Sequence, residues 1–494
     1  MSDTPAELAK TSIAPPPKKV RPPRPERTVE STGSTRVGGE VVRYRTTART
    51  LNLKDEFKED KASVFSIAFV KEGEKDPSKR PVTFCFNGGP GSSSVWLHLG
   101  ALGPRRVAIE DGRILPAPPY ELVDNDSGIL DLTDLVFIDP VGTGFSRSIG
   151  ETEGEAYAGV KEDIESVADF IARWTSTNGR WTSPKFVIGE SYGTFRAAGL
   201  SIALADRGIA VNGLVLVSLA LDFSTFVFEP GNDLPNALFL PTYAATAWYH
   251  ERLPRRPKAL GSFLDEARRF ALEEYMPALL QGARLAPSTK RELAAELARF
   301  TGLDAKAIEG SNLRIEDMWF TKQVLGGDGR TVGRLDSRFV GEDFDRNSRT
   351  TQRDPSYDAI HGPYGALVND FLRREIGWDT DDPYEILSGK LNEGWRFKQE
   401  KRFGFPSVTS ELRRAILMNP QLQVLVCDGL YDVATPFFGS EFTTDHLDLP
   451  AELAVNVRHA SYEAGHMMYL HRPSHAKLKR DLATLYPRQR QKKR

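Results

Sequence analysis

Cysteine is nearly missing from this chain: Cys85 and Cys427 are the only two among 494 residues, each inside an apolar, strand-like run. Thiols so placed read as free and buried, which leaves the fold without a disulfide framework and dependent on its core. Long hydrophobic runs are missing as well. The opening text, MSDTPAELAKTSIAPPPKKVRPPRPERTVESTG, holds no apolar stretch fit to be the core of a secretory signal, and no later run reaches membrane-spanning length. The expectation is a soluble, cytoplasmic chain with no membrane partner; a periplasmic or secreted location is the alternative reading. Excess charge of one sign is missing too, since 65 Lys and Arg face 67 Asp and Glu for a formal net charge of −2. That balance excludes bulk attraction to nucleic acid or to an anionic surface. His471 and His475 sit four apart, but Pro473 lies between them and no third ligand is near, so neither a metal nor any other cofactor is expected.

What is present suits a globular protein with a sizeable core: 40% hydrophobic and 27% charged residues. Disorder is expected only at the ends. One is a Pro-rich leader over residues 1–36, whose PPP and RPPRP segments read as solvated chain; the other is the basic tail RQRQKKR. The length allows about three domains or one α/β core with a large insertion, and the order of elements favours the insertion. Val41 to Val70 alternates in polarity around a charged KDEFKEDKA, which predicts an antiparallel hairpin at a sheet edge. Pro81 to Phe86, Leu135 to Ile138, Phe186 to Ile188 and Gly213 to Leu219 read as buried strands, with a helix over Lys161 to Trp174 as one crossover. This rhythm predicts a mostly parallel, doubly wound sheet. The core's first part is expected over 37–226, a mainly helical, charged lid over 227–397, and the core's second part over 398–488, where Gln423 to Cys427 and Leu453 to His459 restore the strand pattern.

The chain is organised around KFVIGESYGTFRAAGL, Lys185 to Leu200. An apolar strand meets Gly189-Glu190-Ser191-Tyr192-Gly193 and a helix follows at once. So sharp a turn crowds the backbone beside its middle residue, and Gly on both flanks relieves contacts that a Cβ would create. Ser191 is then expected at the tip, above the carboxyl end of a parallel strand, where the helix N-terminus offers N–H groups to a developing oxyanion. A serine nucleophile needs a base and an acid that fixes the base's tautomer. Both follow in the order expected of an α/β-hydrolase. Asp432 lies in the loop after the Gln423 to Cys427 strand, and His466 lies after the next strand, preceded by Gly465. Asp428 is the rival acid, placed at the strand's end where it can cap the turn.

Four separated blocks resemble the serine carboxypeptidases, peptidase family S10, in a bacterial-type form. They are NGGPGSSS with the later LGP (Asn87 to Ser94, Leu102 to Pro104), DPVGTGFS (Asp139 to Ser146), GESYG (Gly189 to Gly193), and the loops of Asp432 and AGH (Ala464 to His466). The resemblance runs from Phe84 to Tyr469. It implies an α/β-hydrolase fold with a lid insertion and a peptide substrate, with Ser191 as nucleophile, His466 as general base and Asp432 as its orienter. It also implies an oxyanion hole from the N–H groups of Gly89 and Tyr192, and a grip on the substrate's terminal carboxylate by Asn87, the Gly88 N–H and Glu190. Glycines at 88 and 89 do allow backbone to approach a ligand closely.

Two departures stand out. Family members from secretory compartments usually carry signal peptides and several disulfides, whereas this chain shows neither. Many members pair the GESYG glutamate with a second glutamate, and the matching position here is Ala101. Without that partner Glu190 is expected to ionise at lower pH than in a paired site, leaving Asn87 and a protonated His98 to hold a carboxylate. The same triad serves an esterase or an acyltransferase, and the same fold could serve a non-catalytic binding protein; the oligomeric state is open.

Overall fold

The alternating apolar residues of the chain become the two faces of one ten-stranded sheet in the computed structural model, which describes residues 24–109, 117–150, 154–397 and 404–486. Its strands are β1 (Thr28–Val37), β2 (Glu40–Lys54), β3 (Asp60–Lys71), β4 (Val82–Phe86), β5 (Asp134–Ile138), β6 (Lys185–Glu190), β7 (Gly213–Val217), β8 (Gln423–Gly429) and β9 (Val457–Tyr462). They lie in the order β1-β2-β3-β5-β4-β6-β7-β8-β9, with Arg147–Ser148 adding a short pairing to β3. From β5 to β9 all neighbours are parallel; β1, β2 and β3 are antiparallel, and β3 joins β5 antiparallel. The longer helices are α1 (Val160–Thr177), α2 (Tyr192–Asp206), α3 (Leu234–Tyr249), α4 (Leu260–Phe270), α5 (Pro287–Thr301), α6 (Pro355–Asp370), α7 (Thr409–Met418) and α8 (Arg472–Ala483).

Strand periodicity divides the core. Phe84, Val136, Val187, Leu214 and Val424 face α1, α2 and α7, meeting Ile171, Leu200 and Leu412. Their neighbours in sequence, Cys85, Phe137, Ile188, Val215 and Leu425, face α6 and α8, meeting Tyr364, Leu367, Leu478 and Leu482. Each such side chain buried contributes about 1.5–3 kcal/mol, so two apolar faces, not the two buried free thiols, hold the sheet. This is an α/β-hydrolase fold.

The leader expected over 1–36 is corrected at its end. Thr28–Val37 pairs residue for residue with β2, from Thr28 opposite Arg49 to Val37 opposite Glu40. The turn between them is Gly38-Gly39, with φ of 57° and 88°, a glycine pair that closes a two-residue hairpin. The strand escapes a hydrophobicity reading because its Thr, Ser and Gly residues are mostly exposed at the sheet edge; only Thr35 and Val37 are buried. Backbone pairing, rather than side-chain burial, holds it. Just before it, Arg24 bonds Asp382 at 2.8 Å and Arg27 lies 4.4 Å over the Trp378 ring. The rest of the leader, residues 1–23, and the basic tail lie outside the described residues. A chain beginning at Thr35 is therefore expected to melt at a lower temperature than one beginning at Arg24; equal melting temperatures would show that β1 adds nothing to stability.

Between β7 and β8 the chain is mainly helical, with a small hairpin of Arg330–Val332 and Val340–Glu342. α3, α4 and α5 close a separate core of Tyr243, Phe263, Phe270 and Phe300, which also takes in Tyr431 and Val433 from the loop after β8 and Phe437 from the start of the helix Phe437–Asp445. α6 differs, because its Ile360, Tyr364 and Leu367 pack on the sheet itself. No described helix is long and apolar enough to cross a membrane.

Candidate active site

β4 is flanked by β5 on one side and β6 on the other, so the strand order reverses there, and a crevice opens at the carboxyl ends of the strands. β6 ends at Glu190 and α2 begins at Tyr192, leaving Ser191 between them at φ 59° and ψ −130°. That conformation is strained for a residue with a Cβ. It is held by bonds from the Ser191 N–H to the Val217 carbonyl and from the Thr194 N–H to the Ser191 carbonyl, both 2.8 Å. Glycine is required in the turn and in the loop that faces it: a Cβ on Gly189 would come within 2.1 Å of the Gly193 carbonyl oxygen, and one on Gly88 within 2.4 Å of the Tyr192 nitrogen. The Asn87-Gly88-Gly89 loop is thus pressed against the N-terminus of α2, and Gly89, at φ 100°, and Tyr192 line the same cavity as Ser191.

That cavity, about 510 Å³, also contains His466. Asp432 is fully buried, and its Oδ2 lies 2.7 Å from His466 Nδ1. The remaining lone pairs of the carboxylate are taken by the N–H groups of Ala434 and Thr435 at 2.8 and 3.0 Å and by the Thr435 hydroxyl at 2.8 Å. Burial alone would lower the His466 pKa, but the charge and hydrogen bond of Asp432 outweigh it and raise the imidazole above its ordinary value. Asp428 goes elsewhere: it accepts from the Ser440 hydroxyl at 2.8 Å and lies 3.8 Å from His459. Of the two candidate acids, the structure brings only Asp432 to His466.

On the other side of Ser191, Asn87 donates to Glu190 Oε1 at 2.9 Å while its own oxygen accepts from the Leu97 N–H at 3.1 Å. Glu190 Oε2 is buried and unpartnered among the described residues. Burial pushes the Glu190 carboxyl up to about 7, an effect moderated by the His466 charge and by the nearby Tyr469 hydroxyl and Asn87. With Ala101 at the matching position, desolvation is the main cause that raises this carboxyl, and the Asp432 charge adds to it. Tyr364 and Tyr469 occupy the space over the neighbouring Gly100, where a Cβ would meet the Tyr364 hydroxyl at 2.5 Å and the Tyr469 ring at 2.6 Å. Both tyrosines feel the Glu190 charge. The expectation for His98 is corrected. It is buried against Phe137, Phe69 and Phe371, and desolvation lowers its pKa to about 3, so it stays neutral and lies outside the cavity lining. His471 and His475 bond Ser474 and the Ala101 carbonyl, and no cluster of three potential ligands suits a metal among the described residues.

The insertion supplies walls that no sequence motif announced. Arg334, Leu335, Asp354 and Tyr357 line the cavity, opposite an aromatic side made by Tyr192, Phe223, Phe226 and Phe397. The only signal for this part was the Asp354-Pro355-Ser356 start of α6, where Asp354 caps the helix by accepting from the Ser356 N–H. Residues 385–388 dock on both glycine-rich loops, through Gly144 N–H to the Glu385 carbonyl, Ser93 N–H to the Ile386 carbonyl and Ser388 N–H to the Gly91 carbonyl. Asp139 ties these loops to each other by accepting from the Ser94 N–H at 2.9 Å and its hydroxyl at 2.8 Å.

Residues 56–207, which hold three of the four blocks, match the family model described as serine carboxypeptidase. Over that segment the chain is similar to the serine carboxypeptidases. Curated relatives include serine carboxypeptidase-like 45 of Arabidopsis thaliana, 30% identical over 181 residues, covering 34% of this chain and 36% of that protein. Serine carboxypeptidase-like 33 of the same plant is 33% identical over 144 residues, 28% of each chain. The chain therefore spans only about a third of the length of these curated serine carboxypeptidase relatives. Among solved structures, a prohormone-processing carboxypeptidase of Saccharomyces cerevisiae, Kex1, aligns over 90% of this chain and 91% of its own at 16% identity and a TM-score of 0.51. That likeness concerns the fold.

Proposed function

We propose that this chain is a serine-type carboxypeptidase that removes residues from peptide C-termini. The observation that carries the reading is the joining of two halves in one cavity: an acid-held histidine beside the serine turn, and a buried, neutral-prone carboxyl on the far side. Asp432 accepts the Nδ1–H of His466, which leaves the Nε2 lone pair free to take the Ser191 proton. Ser191 Oγ attacks the last peptide carbonyl, and the N–H groups of Gly89 and Tyr192 receive the oxyanion. The C–N bond breaks as His466 returns the proton to the leaving amine, and water, deprotonated by His466, then cleaves the acyl-enzyme and restores Ser191. Asn87, the Gly88 N–H and Glu190 hold the carboxylate of the departing residue.

This assignment has a signed pH consequence. Below about 7 Glu190 is protonated and donates to the substrate carboxylate; above it the group ionises and repels that carboxylate. KM for a free-acid peptide is expected to rise as pH increases through that region, while KM for its C-terminal amide stays level. Glu190→Gln, a neutral donor at every pH, is expected to flatten the free-acid profile. Parallel profiles for both substrates in both proteins would remove Glu190 from carboxylate recognition and favour the esterase or acyltransferase reading.

A further inference from the structure

The insertion's small hairpin carries, between its strands, the turn Arg334–Arg338, and this turn bonds both loops that bear the acid and the base. Toward the acid loop, the Val433 N–H donates to the Arg334 carbonyl and the Ser337 N–H donates to the Tyr431 carbonyl, both at 3.0 Å. Asp432 lies between those two anchors. Toward the base loop, the His466 N–H donates to the Leu335 carbonyl at 2.6 Å, and the Gly465 N–H donates to Asp336 Oδ2 at 3.1 Å. Arg338 completes the grip. Its Nη2 donates to Asp336 Oδ2 at 2.6 Å and its Nη1 to the Glu463 carbonyl at 3.1 Å. Asp336 and Arg338 are both buried, so the ion pair is scarcely screened by water. The turn is fixed from behind by α6: Asp354 accepts from the Arg334 and Leu335 N–H groups, each at 3.1 Å, and the Asp336 N–H donates to the Ser356 hydroxyl at 3.2 Å. Gly465 must be glycine here, because a Cβ would come within 2.4 Å of Asp336 Cβ.

We propose that the turn Arg334–Arg338 is a positioning element that sets Asp432 and His466 in register, with the Asp336–Arg338 pair as its working part. The acid and the base come from separate loops after β8 and β9, and this turn bonds residues on both sides of Asp432 together with the backbone of His466 itself. Its first two residues also line the cavity, so a substrate pressing on that wall acts on the same segment that holds the acid–base pair. The inference rests on the serine-hydrolase reading above, and deepens it by assigning residues of the insertion a part in the chemistry.

The test uses the full chain and a fluorophosphonate without a carboxylate, which reports Ser191 reactivity independently of Glu190 binding a substrate carboxylate. Asp336→Asn keeps the shape but turns an acceptor of the Gly465 and Arg338 N–H groups into a donor. Labelling is expected to slow about 10²-fold, as a misplacement near 1 Å does elsewhere, with the far-UV spectrum unchanged and peptide KM little altered while kcat falls. The acid limb of the labelling rate is expected to move to lower pH. Three charged groups face His466: Asp432 and Glu190 raise its pKa and Arg334 lowers it, Asp432 having the largest effect of the three, so a loosened Asp432 contact lowers the imidazole. If Asp336→Asn does not fold, Arg338→Lys, which keeps a cation beside Asp336 but drops the bond to the Glu463 carbonyl, decides by the same readings. Wild-type labelling rate with an unmoved limb overturns the proposal, even if the melting temperature falls. Absence of labelling in the wild type would instead count against the serine-hydrolase reading.

Discussion

Ser191→Ala is expected to lower turnover on the order of 10⁶-fold, and His466→Ala by a similar factor, with the double variant no worse than either alone. The three side chains act as one relay, so the first loss disables it and the second has little left to remove. The backbone of the turn should survive, since the strained Ser191 conformation is held by main-chain bonds to Val217 and Thr194 rather than by its hydroxyl. Folding is therefore expected to be retained, and steady-state kinetics with a free-acid peptide checks the effect. Multiplying losses in the double variant would mean that Ser191 and His466 serve separate functions.

Asp432→Asn is expected to reduce kcat on the order of 10⁴-fold, by analogy with the serine proteases, while Asp428→Asn reduces it far less. The hydrogen bonds give the reason. Asp432 Oδ1 accepts from the Ala434 and Thr435 N–H groups, so an asparagine keeps its oxygen there and turns its amide toward His466. A donor facing Nδ1 places the imidazole proton on Nε2, where it blocks transfer from Ser191. Asp428 has Ser440 and His459 as its neighbours, and its loss perturbs packing at the end of β8 without reaching the imidazole. The reverse ranking, measured as kcat at a pH above the acid limb, would transfer the role of orienter to Asp428.

The strands from β4 to β8 are legible because parallel strands buried on both faces read as continuous apolar runs, and the glycine-rich loops at their ends mark where side chains had to be kept away; the strand expected at Leu453 to His459 is corrected to Val457–Tyr462, because this edge strand is only partly buried and Ala451–Ala454 before it is helical. Gly88, Gly189 and Gly193 are visible in the text for the same steric reason that the structure makes plain. β1 was hidden because an edge strand made of Thr, Ser and Gly buries little and pairs through its backbone. The burial that raises Glu190 is hidden in the sequence, which shows the missing acid at Ala101 but not the desolvation around the carboxyl. His98 looked available only because sequence does not show that Phe69 and Phe137 enclose it. The turn at Asp336 and Arg338 carries no motif, since its bonds to Gly465 and Glu463 run between residues more than a hundred positions apart.

Cleavage of the last peptide bond by Ser191 can be followed by mass spectrometry of a defined peptide. A free-acid peptide incubated with the wild-type chain below pH 7 is expected to lose residues one at a time from its C-terminus, its amide to resist, and Ser191→Ala to leave both intact. An unshortened free-acid peptide, or internal fragments formed equally from the acid and the amide, would contradict it.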